Sequence, residues 1–222
     1  MNAEYSRIIE RLKSHNARLI AVSKTKTAEE IMELYRAGQR DFGENKVQEM
    51  REKQAVLPGD IRWHMIGHLQ TNKVKYIAPW VYCIHSVDGI DLLKEIDKQA
   101  AKNKRVIDCL LQIHIADEET KFGMNRNELI LMLNTPDDSA LNNIRICGLM
   151  GMATNTPDQE QIRNEFAGLK LLFDEVKRIY FPEREHFKEI SMGMSSDYLI
   201  ALEEGSTMLR IGSLLFGERT MK

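Results

Sequence analysis

The sequence predicts an α/β protein that folds as a single (β/α)8 TIM barrel. Two observations carry this prediction: short apolar segments recur along the chain, and a longer segment with helical spacing follows each of them. Strands that alternate with helices pair into parallel sheets. Because the unit recurs eight times in 222 residues, it matches the small end of the barrel range. An open, doubly wound sheet is the alternative architecture for the same alternation.

The predicted strands are apolar segments bounded by polar turns, and the helices between them begin with recognisable caps. Thr27 and Glu30 have the spacing of a capping box, and the helix that they begin ends at Gly38. Thr156 and Pro157 have the pattern of a cap followed by a first-turn proline, ahead of a long amphipathic segment. The eight predicted strands cover residues 19–23, 40–43, 61–66, 81–85, 106–115, 144–150, 187–191 and 208–211.

Composition and charge exclude several classes of protein. The net charge of -2 and the pI near 6.3 give no general attraction to nucleic acid or to anionic membranes. The chain has neither the apolar core of a signal peptide nor about 18 consecutive apolar residues, so we expect no membrane partner. Because no Gly/Ser/Pro-rich linker divides the chain, residues 1–222 are predicted to form one domain. We expect a cytoplasmic monomer.

The cysteines and histidines do not have the spacing of a metal site. Cys83, Cys109 and Cys147 are far apart and lie among apolar residues, which is typical of reduced, buried cysteines. His64 and His68 lack the paired cysteines or the HExxH helix that zinc sites use. The sequence therefore predicts no metal site.

Two basic side chains are predicted to meet at the mouth of the barrel, where the strands of this fold carry their functional residues. Side chains alternate across a strand, so Val22 and Lys24 share one face at the end of the first strand. In the last strand, Leu209 and Ile211 form an apolar face that suits the helices, so Arg210 points into the barrel. A buried arginine needs an acceptor, and partial desolvation of Lys24 would lower the pKa of its amine and make it nucleophilic.

Glycine and serine follow the last two strands. The segment "SMGMSSD" contains Ser191 and Ser195, and the segment "RIGS" ends with Gly212 and Ser213. In (β/α)8 barrels, the loops after strands seven and eight commonly bind phosphate through backbone N–H groups and a helix dipole. A phosphate site on one side of the mouth and a lysine amine on the other indicate a phosphorylated aldehyde. Pyridoxal 5'-phosphate (PLP) fits that description.

Longer stretches of the chain resemble one known family. The segments "AVSKTK", "AGQRDFGENKVQE", "WHMIGHLQTNK", "SMGMSSD" and "GSTMLRIGSLLFGER" are spread from residue 21 to residue 219. Together they closely resemble the pyridoxal-phosphate homeostasis proteins, the YggS/PROSC family. The resemblance implies a barrel like the N-terminal domain of bacterial alanine racemase. It also implies a protein of intracellular PLP homeostasis, which holds PLP and passes it to PLP-dependent apo-enzymes.

The resemblance implies roles for eight residues. Lys24 would form a covalent aldimine with PLP, and Arg210 would face the pyridine nitrogen and keep it unprotonated. The residues implied to hold the phosphate are Ser191, Ser195, Gly212 and Ser213, and those implied to line the ring pocket are Asn45 and His64.

Three functions remain open at this point. Racemisation needs a second acid/base group opposite the lysine, which relatives of this barrel take from a separate β-domain. The residues after the eighth strand are too few for such a C-terminal β-domain, which favours a PLP carrier without turnover. The alternative is a PLP-dependent amino-acid racemase or related enzyme that uses His64 as its second base. Because strand-end lysines are mostly solvated and glycines mostly form turns, a barrel for another phosphorylated metabolite is the third candidate.

Overall fold

Eight parallel strands close into a barrel in the computed structural model, and their spatial order follows the chain. Each strand pairs with the next along the chain, and the last pairs with the first through residues 18–21 and 208–211. The structure describes residues 3–118, 122–134 and 141–217. The predicted (β/α)8 barrel is confirmed, and the alternative of an open sheet is wrong.

Helices separate most of the strands and surround the barrel. The strands are β1 Arg18–Val22, β2 Asp41–Glu44, β3 Arg62–Met65, β4 Cys83–Val87, β5 Ile107–Ile113, β6 Ile144–Gly151, β7 Glu189–Ser191 and β8 Met208–Ile211. The helices are α1 Ala3–Ser14, α2 Ala28–Arg36, α3 Val47–Gln54, α4 Ile90–Lys102, α5 Arg126–Asn134, α6 Gln159–Tyr180, α7 Tyr198–Glu203 and α8 Ser213–Phe216, with a 3₁₀ helix at Thr71–Tyr76. Every predicted strand overlaps an observed one. None of the helices in the described ranges has both the length and the apolar composition of a membrane span.

The helix caps confirm one prediction and correct another. Thr27 and Glu30 form the predicted capping box, in which each side chain bonds the other residue's backbone N–H. The long helix α6 begins later than predicted, because its cap is Asp158 rather than Thr156. The Asp158 carboxylate accepts hydrogen bonds from two backbone N–H groups of the first turn. A negative charge at this position also suits the positive end of the helix dipole.

Two apolar clusters form the core within the described residues. The smaller cluster fills the inside of the barrel and comprises Ile20, Cys83, Leu110, Cys147, Met150 and Met208. The larger cluster lies between the strands and the helices and includes Leu209 and Ile211. The predicted division of β8 into two faces is therefore confirmed. All three cysteines are free and buried, as predicted.

Gly148 of β6 gives a test of how closely the strands pack. Its φ is 153°, and a Cβ atom placed on it would lie 1.8 Å from the carbonyl oxygen of Glu189 in β7. Gly148→Ala is therefore expected to lower the free energy of unfolding by more than about 2 kcal/mol. The control is Gly168→Ala on the exposed face of α6, where an added Cβ atom would meet no heavy atom within 4 Å beyond its adjacent residues and its own helix backbone. It is expected to raise stability by about 0.5–1 kcal/mol, and urea unfolding measures both. Equal stability of Gly148→Ala and the native chain would contradict the packing described.

Candidate functional site

A cavity of about 430 Å³ opens at the C-terminal ends of the strands, where this fold places its functional sites. The loops after β1, β7 and β8 form most of its wall, and one residue directly after each of β2, β3 and β6 completes it. Six of the eight residues predicted for the site lie on this wall: Lys24, Asn45, Ser195, Arg210, Gly212 and Ser213. The fold therefore brings together residues that are up to 189 positions apart in the chain, from Lys24 to Ser213.

Ser191 and His64, the other two predicted residues, do not line the cavity. Both are fully buried inside the barrel. Ser191 pairs with Met208 of β8, one inward-facing layer below Arg210. Its hydroxyl lies 2.7 Å from the Arg210 guanidinium and 2.9 Å from His85. Ser191 thus contacts the arginine from below rather than a group in the cavity, and His64 lies deeper still.

Lys24 is half-buried in the turn that directly follows β1. The next residue, Thr25, has a φ of 67°, which is rare for a β-branched residue. Two contacts fix this turn: the Ser23 N–H donates to the Gly43 carbonyl at 3.0 Å, and the Thr25 N–H donates to the Glu49 carboxylate. The direction in which Lys24 leaves the strand is therefore set by the neighbouring β2 and α3.

A buried ion pair supports the same turn from below. The Lys53 ammonium donates to the Ser23 carbonyl at 2.6 Å and to the carboxylates of Glu44 and Glu49 at 2.7 Å each. The Ser23 hydroxyl also donates to Glu44, at 2.6 Å. Burial raises the pKa of Glu44, and the hydrogen bonds from Lys53 and Ser23 oppose that rise. Sequence reasoning missed this ion pair, because a lysine on α3 and a glutamate at the end of β2 have no shared pattern.

Arg210 forms the floor of the cavity and is only 3% exposed. Its guanidinium donates to the Ser191 carbonyl at 2.7 Å and to the Gly151 carbonyl at 2.9 Å, besides its bond to the Ser191 hydroxyl. Burial lowers the pKa of Arg210 to about 10, although the nearby Asp197 acts in the opposite direction. The side chain therefore stays charged at neutral pH. Its Nε–H donates to no atom of the described residues, which leaves it available to a group in the cavity.

The loops after β7 and β8 together present hydrogen-bond donors to the opposite side of the cavity. The Gly212 N–H donates to the Ser195 hydroxyl at 3.3 Å, which joins the two loops. The N–H groups of Ser213 and Leu214, at the start of α8, donate to no atom in the part of the chain that the structure describes. Ser196 also lines the cavity, and its side chain is exposed. Free N–H groups and hydroxyls in one loop cluster are a typical environment for phosphate.

These residues fit PLP in size and in chemistry. The volume lies within the range of small-molecule sites, and an amine, a cation and phosphate-type donors surround it. The ionisable side chains among the described lining residues are Arg210, Lys24 and Lys26. None of the described lining residues carries a carboxylate, imidazole, thiol or phenol. Lys26 donates to the Phe216 carbonyl at 2.9 Å and pairs with Glu30 at 3.2 Å. Lys24 and Lys26 belong to the same loop, so they approach the cavity from the same side.

Comparison with known proteins gives full-length relatives. Residues 1–220 match the family model described as alanine racemase, N-terminal domain. A protein of Aquifex aeolicus named pyridoxal phosphate homeostasis protein is 41% identical over 231 residues, which cover 99% of both chains. A protein of Synechocystis with the same name is 37% identical, with 97% of both chains covered.

A solved structure agrees with these relatives. PipY of Synechococcus elongatus, whose structure has PLP bound, is similar to this chain with a TM-score of 0.81 and 35% sequence identity. The similarity covers 96% of this chain and 99% of PipY. The fold, length and sequence of this chain therefore agree with those of its relatives across the whole barrel. The chain belongs to the alanine racemase N-terminal domain family and, within it, to the pyridoxal phosphate homeostasis proteins.

Proposed function

We propose that this protein binds PLP as an aldimine on Lys24 and serves PLP homeostasis in the cytoplasm. The observation that carries the proposal is the meeting of Lys24, Arg210 and the phosphate-type donors around one cavity. The relatives named pyridoxal phosphate homeostasis protein and the PLP-bound structure of PipY support it. In this role the protein limits the free reactive aldehyde and passes PLP to apo-enzymes that require it.

The residues around the cavity suggest one orientation for the cofactor. Ser195, Ser196, Gly212 and Ser213 bind the phosphate, and Asn45 lines the pocket of the ring. The pyridine nitrogen then faces Arg210. Because a charged guanidinium can only donate hydrogen bonds, it pairs with an unprotonated pyridine nitrogen. An unprotonated pyridine is a weaker electron sink than a pyridinium ion, which disfavours carbanion chemistry.

The racemase is the second candidate function, and the cavity favours the carrier over it. Racemisation requires acid/base groups on both faces of the cofactor. Among the described residues, the wall across from the Lys24 loop offers hydroxyls, amides and apolar groups, but no side chain that readily exchanges a proton near neutral pH. His64, the second base of the racemase alternative, has both ring nitrogens in hydrogen bonds beneath the cavity.

The open mouth of the cavity is consistent with transfer to other proteins. Ser196 and Ser213, on the phosphate side, are exposed, and Lys24 is half-buried. The cofactor would therefore be reached from solvent without a rearrangement of the barrel. A carrier needs such access, because PLP must leave for the apo-enzymes that use it.

The absorption spectrum tests the covalent link to Lys24. The native protein is expected to show an imine band after incubation with PLP, and borohydride reduction should fix the cofactor on the peptide that contains Lys24. Lys24→Ala should lose both signals and still unfold cooperatively, because this half-exposed side chain contributes little packing. Lys26→Ala is the matched control, since it removes the other amine on the wall and should keep the adduct. An adduct on another lysine would contradict the assignment. Absence of any adduct would favour a barrel for a different phosphorylated metabolite.

Exchange of the amino-acid α-hydrogen with solvent separates carrier from racemase. We expect no Lys24-dependent exchange when the PLP-loaded protein is incubated with a panel of amino acids in D₂O, because the cavity lacks a second base. Proton NMR of the amino acids measures the exchange, and the Lys24→Ala variant gives the background. Exchange that is lost in Lys24→Ala would establish the enzyme.

A further inference from the structure

A chain of buried polar side chains crosses the inside of the barrel, from the cavity floor to the opposite end. The Ser191 hydroxyl lies 2.7 Å from Arg210 and 2.9 Å from Nδ1 of His85. Nε2 of His85 lies 2.9 Å from Nδ1 of His64, and Nε2 of His64 lies 3.0 Å from the Asp41 carboxylate. These links join four strands, β8, β7, β4 and β3, to the start of β2.

The two ends of the chain determine the direction of every hydrogen bond within it. Arg210 can only donate, so the Ser191 oxygen accepts, and the Ser191 O–H is free to donate to His85. The Asp41 carboxylate can only accept, so Nε2 of His64 carries the proton that it donates. A neutral His64 then accepts at Nδ1 from Nε2 of His85. Both histidines are thus in the same tautomer, with the proton on Nε2.

Burial and charge support neutral histidines and an ionised aspartate. Burial lowers the pKa of His64, although Asp41 opposes this, and burial together with the charge of Arg210 lowers the pKa of His85 well below its usual value. Burial alone would raise the pKa of Asp41, but hydrogen bonds from His64 and Arg62 keep that pKa below its usual value. Arg62 donates hydrogen bonds to both oxygens of the Asp41 carboxylate at the end of the barrel opposite the cavity. The chain of hydrogen bonds therefore runs from one cation, Arg210, to one anion, Asp41, and a second cation, Arg62, pairs with that anion.

A metal ion is the other use that these side chains suggest. The potential ligand atoms of His64, Cys83 and His85 lie within 4.8 Å of one another. All four imidazole nitrogens, however, already have a hydrogen-bond partner, and burial raises the pKa of the Cys83 thiol well above its usual value. A metal would need that thiol as a thiolate and would break the link between the histidines. The hydrogen-bonded chain is therefore the better account.

We propose that Asp41, His64, His85 and Ser191 are positioning residues, which form a one-directional chain of hydrogen bonds that holds the Arg210 guanidinium in place. The chain keeps a Ser191 lone pair directed at Arg210, and it directs the negative end of aligned N–H and O–H dipoles toward the buried cation. Arg210 is thereby fixed with its free Nε–H toward the cavity. That the held guanidinium donates to the pyridine nitrogen of PLP rests on the proposed function, whereas the chain of hydrogen bonds does not.

The first test measures the tautomers in protein without PLP, so it is independent of cofactor binding. Nitrogen-15 NMR of histidine-labelled protein is expected to show His64 and His85 with an unprotonated Nδ1 and a protonated Nε2, including at about pH 6.5, where a solvated histidine is half-charged. His64→Gln and His85→Gln assign the two sets of signals. A protonated Nδ1 on either ring would overturn the proposed direction. Loss of the Nε2 proton on addition of Zn²⁺ would favour a metal site instead.

The second test uses two matched aspartates. Asp41→Asn removes the anionic end of the chain. Asp108→Asn is the control, because Asp108 also pairs with an arginine of the next strand, Arg145, at 2.7 Å, but its carboxylate forms no hydrogen bond with His64 or His85. Asp41→Asn is expected to shift the ring signals of His85, although Asp41 does not contact it, and Asp108→Asn should leave them unchanged. Unchanged His85 signals in Asp41→Asn would refute coupling along the chain.

PLP retention measures the effect at the cavity. Asp41→Asn is expected to accelerate loss of bound PLP about tenfold, the size of effect that outer hydrogen-bond partners have at metal sites. Asp108→Asn should release PLP at the native rate. If the NMR signals change and PLP release does not, the chain exists but does not position Arg210, and that part of the proposal is wrong. If neither the native protein nor any variant binds PLP, the proposed function fails while the tautomer result stands.

Discussion

The burial of the Arg210 guanidinium is the constraint on which the site depends. A charged group removed from water is costly unless acceptors replace the water. Carbonyl groups at the ends of β6 and β7 supply two of these acceptors, and the Ser191 hydroxyl supplies the third. Satisfying one side chain of β8 therefore fixes the ends of three adjacent strands relative to one another. The loops that bind phosphate in our proposal follow two of those strands, so the floor and one side of the cavity are built by the same contacts.

The opposite side of the cavity depends on a second buried charge. Lys53 on α3 ties the carbonyl of Ser23 to the carboxylates of Glu44 and Glu49, and the turn that carries Lys24 lies directly above. Breaking a buried pair by removing one partner is costly, because the other charge remains buried. The amine and the guanidinium are thus held at separate places by separate polar systems. A ligand that reacts with the one and accepts a hydrogen bond from the other has little freedom of orientation.

The periodicity of the sequence was sufficient to predict the barrel and the two faces of its strands. It was not sufficient to predict how deep inside the barrel each side chain lies. The alternation of side chains along β8 correctly placed Arg210 on the opposite face from Leu209 and Ile211, because the sequence of this one strand is enough to assign its two faces. Ser191 and His64 were predicted as cofactor contacts, yet they lie below the cavity. Their depth depends on the register between neighbouring strands, such as the pairing of Ser191 with Met208. No single segment carries that register, and the same is true of the Lys53–Glu44 pair and the contact between His64 and His85.

The central claim is that PLP lies between Lys24 and Arg210, with its pyridine nitrogen at the guanidinium. Nitrogen-15 NMR of the protein loaded with PLP labelled at the ring nitrogen measures this most directly. We expect the chemical shift of an unprotonated, hydrogen-bonded pyridine, and a different shift in Arg210→Gln. A pyridinium shift in the native protein, or a signal unchanged by Arg210→Gln, would contradict the proposed orientation of the cofactor.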